Sequence, residues 1–217
     1  LIGGTAGRTT LNGEGLQHED GHSHILSATI PNCISYDPTY AYEVAVIVQN
    51  GLKRMVEEQE DVFYYLTVMN ENYEHPAMPA GAEEGIIKGM YLLKPAADGA
   101  KGHKVQLMGS GTILREVLAG AELLEKDFGI HADVWSVTSY TELAREAAAV
   151  ERWNMLNPEE TPKVAYVTGK LAERGDGPVV SSTDYIRAYS EQIRAYVPGN
   201  YRTLGTDGFG RSDYRRR

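Results

Sequence analysis

Three of the chain's six histidines fall inside one short stretch, GLQHEDGHSH, where His18, His22 and His24 alternate with Glu19, Asp20 and Gly21. Imidazole titrates near neutrality and can donate a proton, accept one or bind a metal. Histidines set beside carboxylates on a glycine-rich loop therefore fit proton transfer or anion binding. The same composition also describes a plain surface loop. A metal site is the sharper rival, since His18 and His22 are four residues apart, as on one helical face, and His24 would complete a three-histidine set. Gly21 works against that helix, and the zinc-hydrolase pattern of two histidines flanking a glutamate is absent. No metal ligand is assigned.

Other stretches carry weaker signals. GSGTIL, residues 109 to 114, follows a predicted strand and opens a predicted helix, but Leu114 stands where a dinucleotide fingerprint needs its third glycine. Cys33, the only cysteine, lies in an apolar run with no base beside it, which fits a buried, inert thiol. Asn70, Glu71, Asn72 and Tyr73 could line a site at a strand end or form an ordinary turn. LGTDGFGRSD, residues 204 to 213, reads as a turn that needs its glycines.

The elements that must position these residues alternate between strand and helix. Residues 1 to 24 read as loop, Asn32 to Tyr36 as a short buried strand, and Asp37 with Pro38 as a helix start, the helix running to about Gln59. Asp61 to Met69 is β-branched and aromatic, as in a buried parallel strand, so strand, helix and strand form a crossover unit. The following loop leaves the strand's carboxyl end, where open α/β sheets place ligands. A short helix over 83 to 90 and an extended piece over 91 to 94 lead to PAADGAKGHK, which has linker composition. The second half repeats the rhythm. Strands are expected at 105–108, 132–137, 179–182 and 201–205, with a helix after Gly111 that Gly129 ends. Ser139 or Thr141 starts a helix to about Trp153, residues 163 to 173 are left open, and Asp184 caps a helix whose core face is Ile186, Tyr189, Ile193 and Val197.

The formal net charge of -9 argues against a general nucleic-acid or anionic-membrane surface. A single cysteine excludes an intrachain disulfide framework and fits a reducing, cytoplasmic setting. No apolar run approaches the roughly 20 residues that span a bilayer, and the N-terminus lacks the pattern of a secretory signal. The chain opens on LIGGTAGRTT and stops at RSDYRRR, which reads as a segment of something larger.

The string GGTAGRTTLNGEGLQHEDGHSHILSATIPNCISYDPTYAYEVAVIVQ, with the later MNENY, PAMP, SVTSYTELAR, ERWNML, STDY and LGTDGFGRSD, resembles the homodimeric bacterial pyruvate dehydrogenases in order and over nearly the whole chain. EDGHSH is more distantly similar to a stretch of transketolases. The resemblance implies an α/β fold: residues 1–95 as the end of a thiamine-diphosphate pyrimidine-binding domain, and 96–217 as a truncated, transketolase C-terminal-like three-layer α/β domain. It implies an oxidoreductase that uses thiamine diphosphate and Mg2+, with the principal cofactor motifs upstream of Leu1, so that the segment alone is inactive. The implied reaction decarboxylates pyruvate and passes the two-carbon fragment to the lipoyl group of a dihydrolipoyl acetyltransferase component. Matched residue by residue, His18 becomes the active-centre histidine, His24 matches the transketolase active-site histidine, and His22 is weaker. Glu14, Glu19 and Asp20 would orient these rings or support the subunit interface. A metal-dependent hydrolase using His18, His22 and His24, or a noncatalytic α/β interaction domain, are the readings from other classes.

Overall fold

Strand pairing divides the chain into two sheets that meet along their strand ends. The computed structural model describes residues 2–5, 19–69, 71–97 and 104–208. His18, Glu14, Asn70, the centre of the expected linker and the end of the 204–213 turn lie outside them.

The first sheet is parallel, in the order β1 (Ile2–Thr5), β3 (Phe63–Val68), β2 (Cys33–Tyr36). The expected strand, helix and strand unit is present as β2, α2 (Ala41–Leu52) and β3. Two expectations for the N-terminal region are corrected. Residues 2–5 are a strand rather than loop, because β3 offers them a parallel edge that compensates for weak intrinsic preference. His24 sits not in a loop but in a short helix, α1 (Ser23–Ala28). Asp20 starts it, accepting from the amides of His22 and Ser23 at 3.0 Å each and from the Ser23 hydroxyl.

Asp37 does not cap α2. It is drawn between the two sheets, and the helix begins four residues later, with Glu43 reaching back to the amides of Thr39 and Tyr40. Its end also differs from expectation. The last turn widens into a π-helical turn over Lys53–Glu57, and Gln59 takes a left-handed φ of 52°, which returns Glu60 to Arg54 at 2.6 Å.

The second sheet has the order β4-β6-β5-β7-β8. Its strands β5 (Lys104–Gly109), β6 (His131–Val137), β7 (Val179–Ser182) and β8 (Tyr201–Leu204) run parallel, and β4 (Met90–Lys94) pairs antiparallel with β6. A division at 95/96 therefore separates β4 from the sheet to which it bonds. α3 (Glu83–Lys88) precedes β4. α4 (Ile113–Phe128) buries Leu114, Val117 and Ala121 on one stripe, and Gly129 closes it at φ 63° with amide bonds back to Glu125 and to Leu124 from Ile130. α5 (Tyr140–Leu156) starts at Ser139, whose hydroxyl oxygen accepts from the Glu142 amide at 3.0 Å. The open stretch after 163 is a helix, α6 (Tyr166–Ala172).

After β7 the expected continuous helix is broken into α7 (Ala188–Glu191) and a 3-10 turn at Arg194–Tyr196. Asp184 is buried rather than a cap, yet Tyr189, Ile193 and Val197 do face the core. Met90, Met108, Trp135, Tyr140, Leu143 and Val179 belong to the same core. A smaller cluster of Ile34, Tyr36, Ile47, Tyr64, Leu66 and Ile86 stabilises the first sheet against α2 and α3.

Candidate functional site

The carboxyl ends of β2, β3, β5 and β7 converge, and the residues just past them form a buried polar chain. Asp37 follows β2, Thr67 is the last but one residue of β3, Ser110 follows β5, and Thr183 follows β7. Thr67 donates its hydroxyl to Asp37 Oδ1 at 2.7 Å, and Ser110 donates to Asp37 Oδ2 at 2.8 Å. The Asp37 backbone is fixed as well, its amide donating to Thr138 O at 2.8 Å and its carbonyl accepting from Gly111 at 3.1 Å. Burial pushes the Asp37 carboxyl up to about 7; the two hydroxyls oppose the shift, and Asp184 and Glu43 reinforce it.

His24 joins the chain from α1. Its Nε2 lies 3.0 Å from Thr67 Oγ1. The ring is fully enclosed, stacked on Tyr189 at 4.8 Å and 17°, met edge-on by Tyr185 at 4.8 Å, and flanked by Tyr65 at 5.5 Å. Burial lowers its pKa to about 3, opposed by Asp20, so the ring is neutral at physiological pH. Its Nδ1 has no hydrogen-bond partner among the described residues. His22, two residues earlier, is exposed. The structure thus separates His22 from His24 instead of gathering them, while His18 and Glu14 lie outside the described residues. Glu19 is buried beside this helix start, and Asp20 is spent on capping it. Among the described residues no group of three His, Cys, Asp or Glu is placed to hold a metal.

A second buried carboxylate, Glu43, ties α2 to the second sheet: Tyr91 and Ser136 both donate hydroxyls to it at 2.6 Å. Burial raises its pKa against all four of its hydrogen bonds. The GSGTIL turn has a packing explanation. Gly111 sits at φ 48°, and a Cβ there would lie 2.6 Å from both Asp37 carboxylate oxygens. Cys33 is enclosed in β2, and burial pushes its thiol up.

Two family models divide the sequence in the same way as the sheets. Residues 1–76 match the pyruvate dehydrogenase E1 component middle domain. Residues 89–217 match the transketolase-like C-terminal domain. Pyruvate dehydrogenase E1 components from Pseudomonas aeruginosa and Escherichia coli K12 are 66% identical over 218 residues and 65% over 217, covering 100% and 99% of this chain. The chain belongs to the pyruvate dehydrogenase E1 family. It spans 24% of the length of each of those two relatives. The fold is that of transketolases: the Campylobacter jejuni enzyme superposes with a TM-score of 0.64 at 18% identity over 99% of this chain and 28% of its own. A Pichia stipitis transketolase complex gives 0.66 at 16% identity over 98% and 26%.

Within this E1 segment the loop after β3 is anchored to the start of α2. Tyr73 donates its hydroxyl to Thr39 O and stacks on His75 at 4.6 Å, and His75 Nδ1 accepts from the Ala41 amide at 3.0 Å. Glu71 pairs with Arg115 at 3.0 Å, whose guanidinium lies over the Tyr73 ring. The sequence does not mark the parts of the site that carry no motif: Asp37 as an interior carboxylate, Thr67, Tyr185 and Tyr189, while Ser110 shows only as part of the GSGTIL turn. A signal was available for Asp37, since a strand end preceding proline is where an open sheet places its ligands. Thr67 and Tyr189 read only as core.

Proposed function

We propose that this chain is part of a thiamine-diphosphate-dependent pyruvate dehydrogenase that decarboxylates pyruvate and reductively acetylates the lipoyl group of a dihydrolipoyl acetyltransferase component. It would work as a homodimer within a multienzyme complex on the route from glycolysis to acetyl-CoA, in the cytoplasm. The observation that carries this reading is identity along the whole chain to proteins named pyruvate dehydrogenase E1 component. Consistent with a role in solution, no helix of the described residues is long and apolar enough to cross a membrane.

Fit to the cofactor differs between its two ends. On this reading the diphosphate end and Mg2+ belong to residues outside those described; among the described residues no group of three His, Cys, Asp or Glu is placed to hold a metal. His24 is placed by the same reading at the reactive end; its buried Nδ1 has no partner among the described residues and suits a group that donates a hydrogen bond. When bound, thiamine diphosphate supplies a nucleophilic carbon and an electron sink for loss of carbon dioxide. The residues of this chain manage protons and charge around that step. His18 is the first candidate for contact with substrate-derived atoms, His24 the second and His22 the third. Neutral, enclosed His24 can donate from one ring nitrogen and accept at the other; taking up a proton would make it a buried cation, which burial disfavours, so its part is hydrogen bonding rather than proton uptake.

The test is His18→Ala in the full-length enzyme, measuring pyruvate turnover and thermal unfolding together. Turnover should fall by at least ~100-fold, as expected for a lost acid-base group, with the unfolding temperature unchanged. Retained turnover would remove His18 from the active centre.

A further inference from the structure

We propose that Asp37 is a positioning residue for His24, acting through the Thr67 hydroxyl to hold the imidazole in the tautomer protonated on Nε2, with Nδ1 as its acceptor end. The inference rests on the reading of His24 as an active-centre residue only for what that acceptor end serves; the positioning itself stands on geometry.

Thr67 has one proton to give and two acceptor sites. Its proton goes to the Asp37 carboxylate, at 2.7 Å and in the short range of charge-assisted bonds, while the alternative acceptor, Tyr36 O, is 3.4 Å away. With that proton committed, the oxygen can only accept from its remaining partners. Those are His24 Nε2 at 3.0 Å and the Tyr185 hydroxyl. His24 must therefore carry its hydrogen on Nε2.

Asp37 is held so that it can impose this direction. Ser110 donates to its other oxygen, and its backbone is bonded at both ends. The hydroxyls of Thr67 and Ser110 face the carboxyl, and the carboxylates of Asp184 and Glu43 act on it through charge; Tyr140, Tyr185 and Tyr189 also feel its charge. Among the described residues no lysine or arginine figures among the groups that perturb it, so its hydrogen bonds are its main stabilisation as an anion. The His24 ring cannot escape by turning over, because Tyr189 stacks on one face and Tyr185 packs against it at right angles. Nδ1 is then left bare, which agrees with the absence of a partner for it among the described residues. Of the two candidate histidines in the described residues, only His24 has its tautomer prescribed in this way; exposed His22 does not.

The experiment uses full-length enzyme labelled with 15N-histidine, at pH 8 where Asp37 is ionised, with the His24 signals assigned by their loss in His24→Gln. The expected spectrum has a pyridine-type Nδ1 and a pyrrole-type Nε2. Thr67→Ser should preserve it, and Thr67→Val should give mixed or reversed tautomers. A wild-type ring protonated on Nδ1, or an unchanged spectrum in Thr67→Val, would overturn the proposal. If Thr67→Val does not fold, the wild-type and Thr67→Ser spectra still decide it. Turnover separates this inference from the functional reading. With both right, Thr67→Val lowers kcat roughly 10- to 100-fold, as misplaced groups do, with little change in KM, and Thr67→Ser restores it. Altered tautomers with unchanged kcat would support the positioning and remove His24 from the active centre.

Discussion

Replacing Asp37 with asparagine should change how stability depends on pH more than it changes stability at any one pH. Asp37 titrates at about 7 in the fold against 3.8 for a free aspartate. A group whose pKa is raised by folding contributes most below its unfolded pKa, and that contribution is lost as pH rises through its folded value. From pH 5 to 8 the folded carboxyl gives up its proton near 7, while the unfolded one is already ionised. The protein therefore loses about two pH units' worth of linkage over this interval, or about 3 kcal/mol at about 1.4 kcal/mol per unit. Asparagine keeps the shape and cannot ionise, so the same interval should cost Asp37→Asn about 3 kcal/mol less. Glu43 and Glu142, also raised by burial, are present in both proteins and largely cancel in the difference. The assay is urea unfolding of wild type and variant at pH 5 and pH 8, compared as a difference of differences. Parallel pH profiles would refute the account of Asp37 as an ionisable interior group whose burial outweighs its hydrogen bonds.

Gly111→Ala should destabilise by about 2–3 kcal/mol, combining a left-handed backbone with a Cβ driven into the Asp37 carboxylate. Gly129→Ala, at φ 63° with nothing within 4 Å, should cost about 1 kcal/mol, and equal costs in urea unfolding would contradict the packing explanation. Arg145 donates to the carbonyls of Cys33 at 2.7 Å and Ile30 at 2.8 Å. Arg145→Met should cost about 2–4 kcal/mol and open residues 28–33 to limited proteolysis; unchanged cleavage there would show that α5 does not hold that turn.

Regular features that depend on local pattern were legible in the sequence. The helical spacing of Leu114, Val117, Leu118, Ala121 and Leu124, the stop at Gly129 and a start at Ser139 or Thr141 are each decided within a few residues. The structure buries Leu114, Val117 and Ala121, leaves Leu118 and Leu124 half-buried against the same core, and starts the helix at Ser139. Features decided across the fold were not. Nothing in Ile2–Thr5 marks a strand until β3 lies beside it. Asp37 and Asp184 each have the local look of a helix cap, but the meeting of two sheets places both inside. The histidine cluster was visible by composition, and the resemblance ordered its members. The enclosure of His24 by tyrosines more than a hundred residues away depends on how β7 and α7 return to α1. The three histidines look equivalent on paper, whereas the fold exposes His22 and surrounds His24.

Beside the apolar packing of Tyr40 and Tyr91, several contacts across the seam between the sheets are polar and directional: Asp37 with Ser110, Glu43 with Ser136, Ser139 with the Ser35 carbonyl, and Arg145 with the Cys33 carbonyl. Apolar seams tolerate swapped side chains of similar volume, but hydrogen-bonded ones require donor and acceptor to change together. Recombination between homologues at the crossover from β3 to β4 would thus produce working chimeras only between parents that share both halves of each pair. Substitutions on the two sides of that crossover should accumulate as correlated pairs, even though the two sheets share no strand.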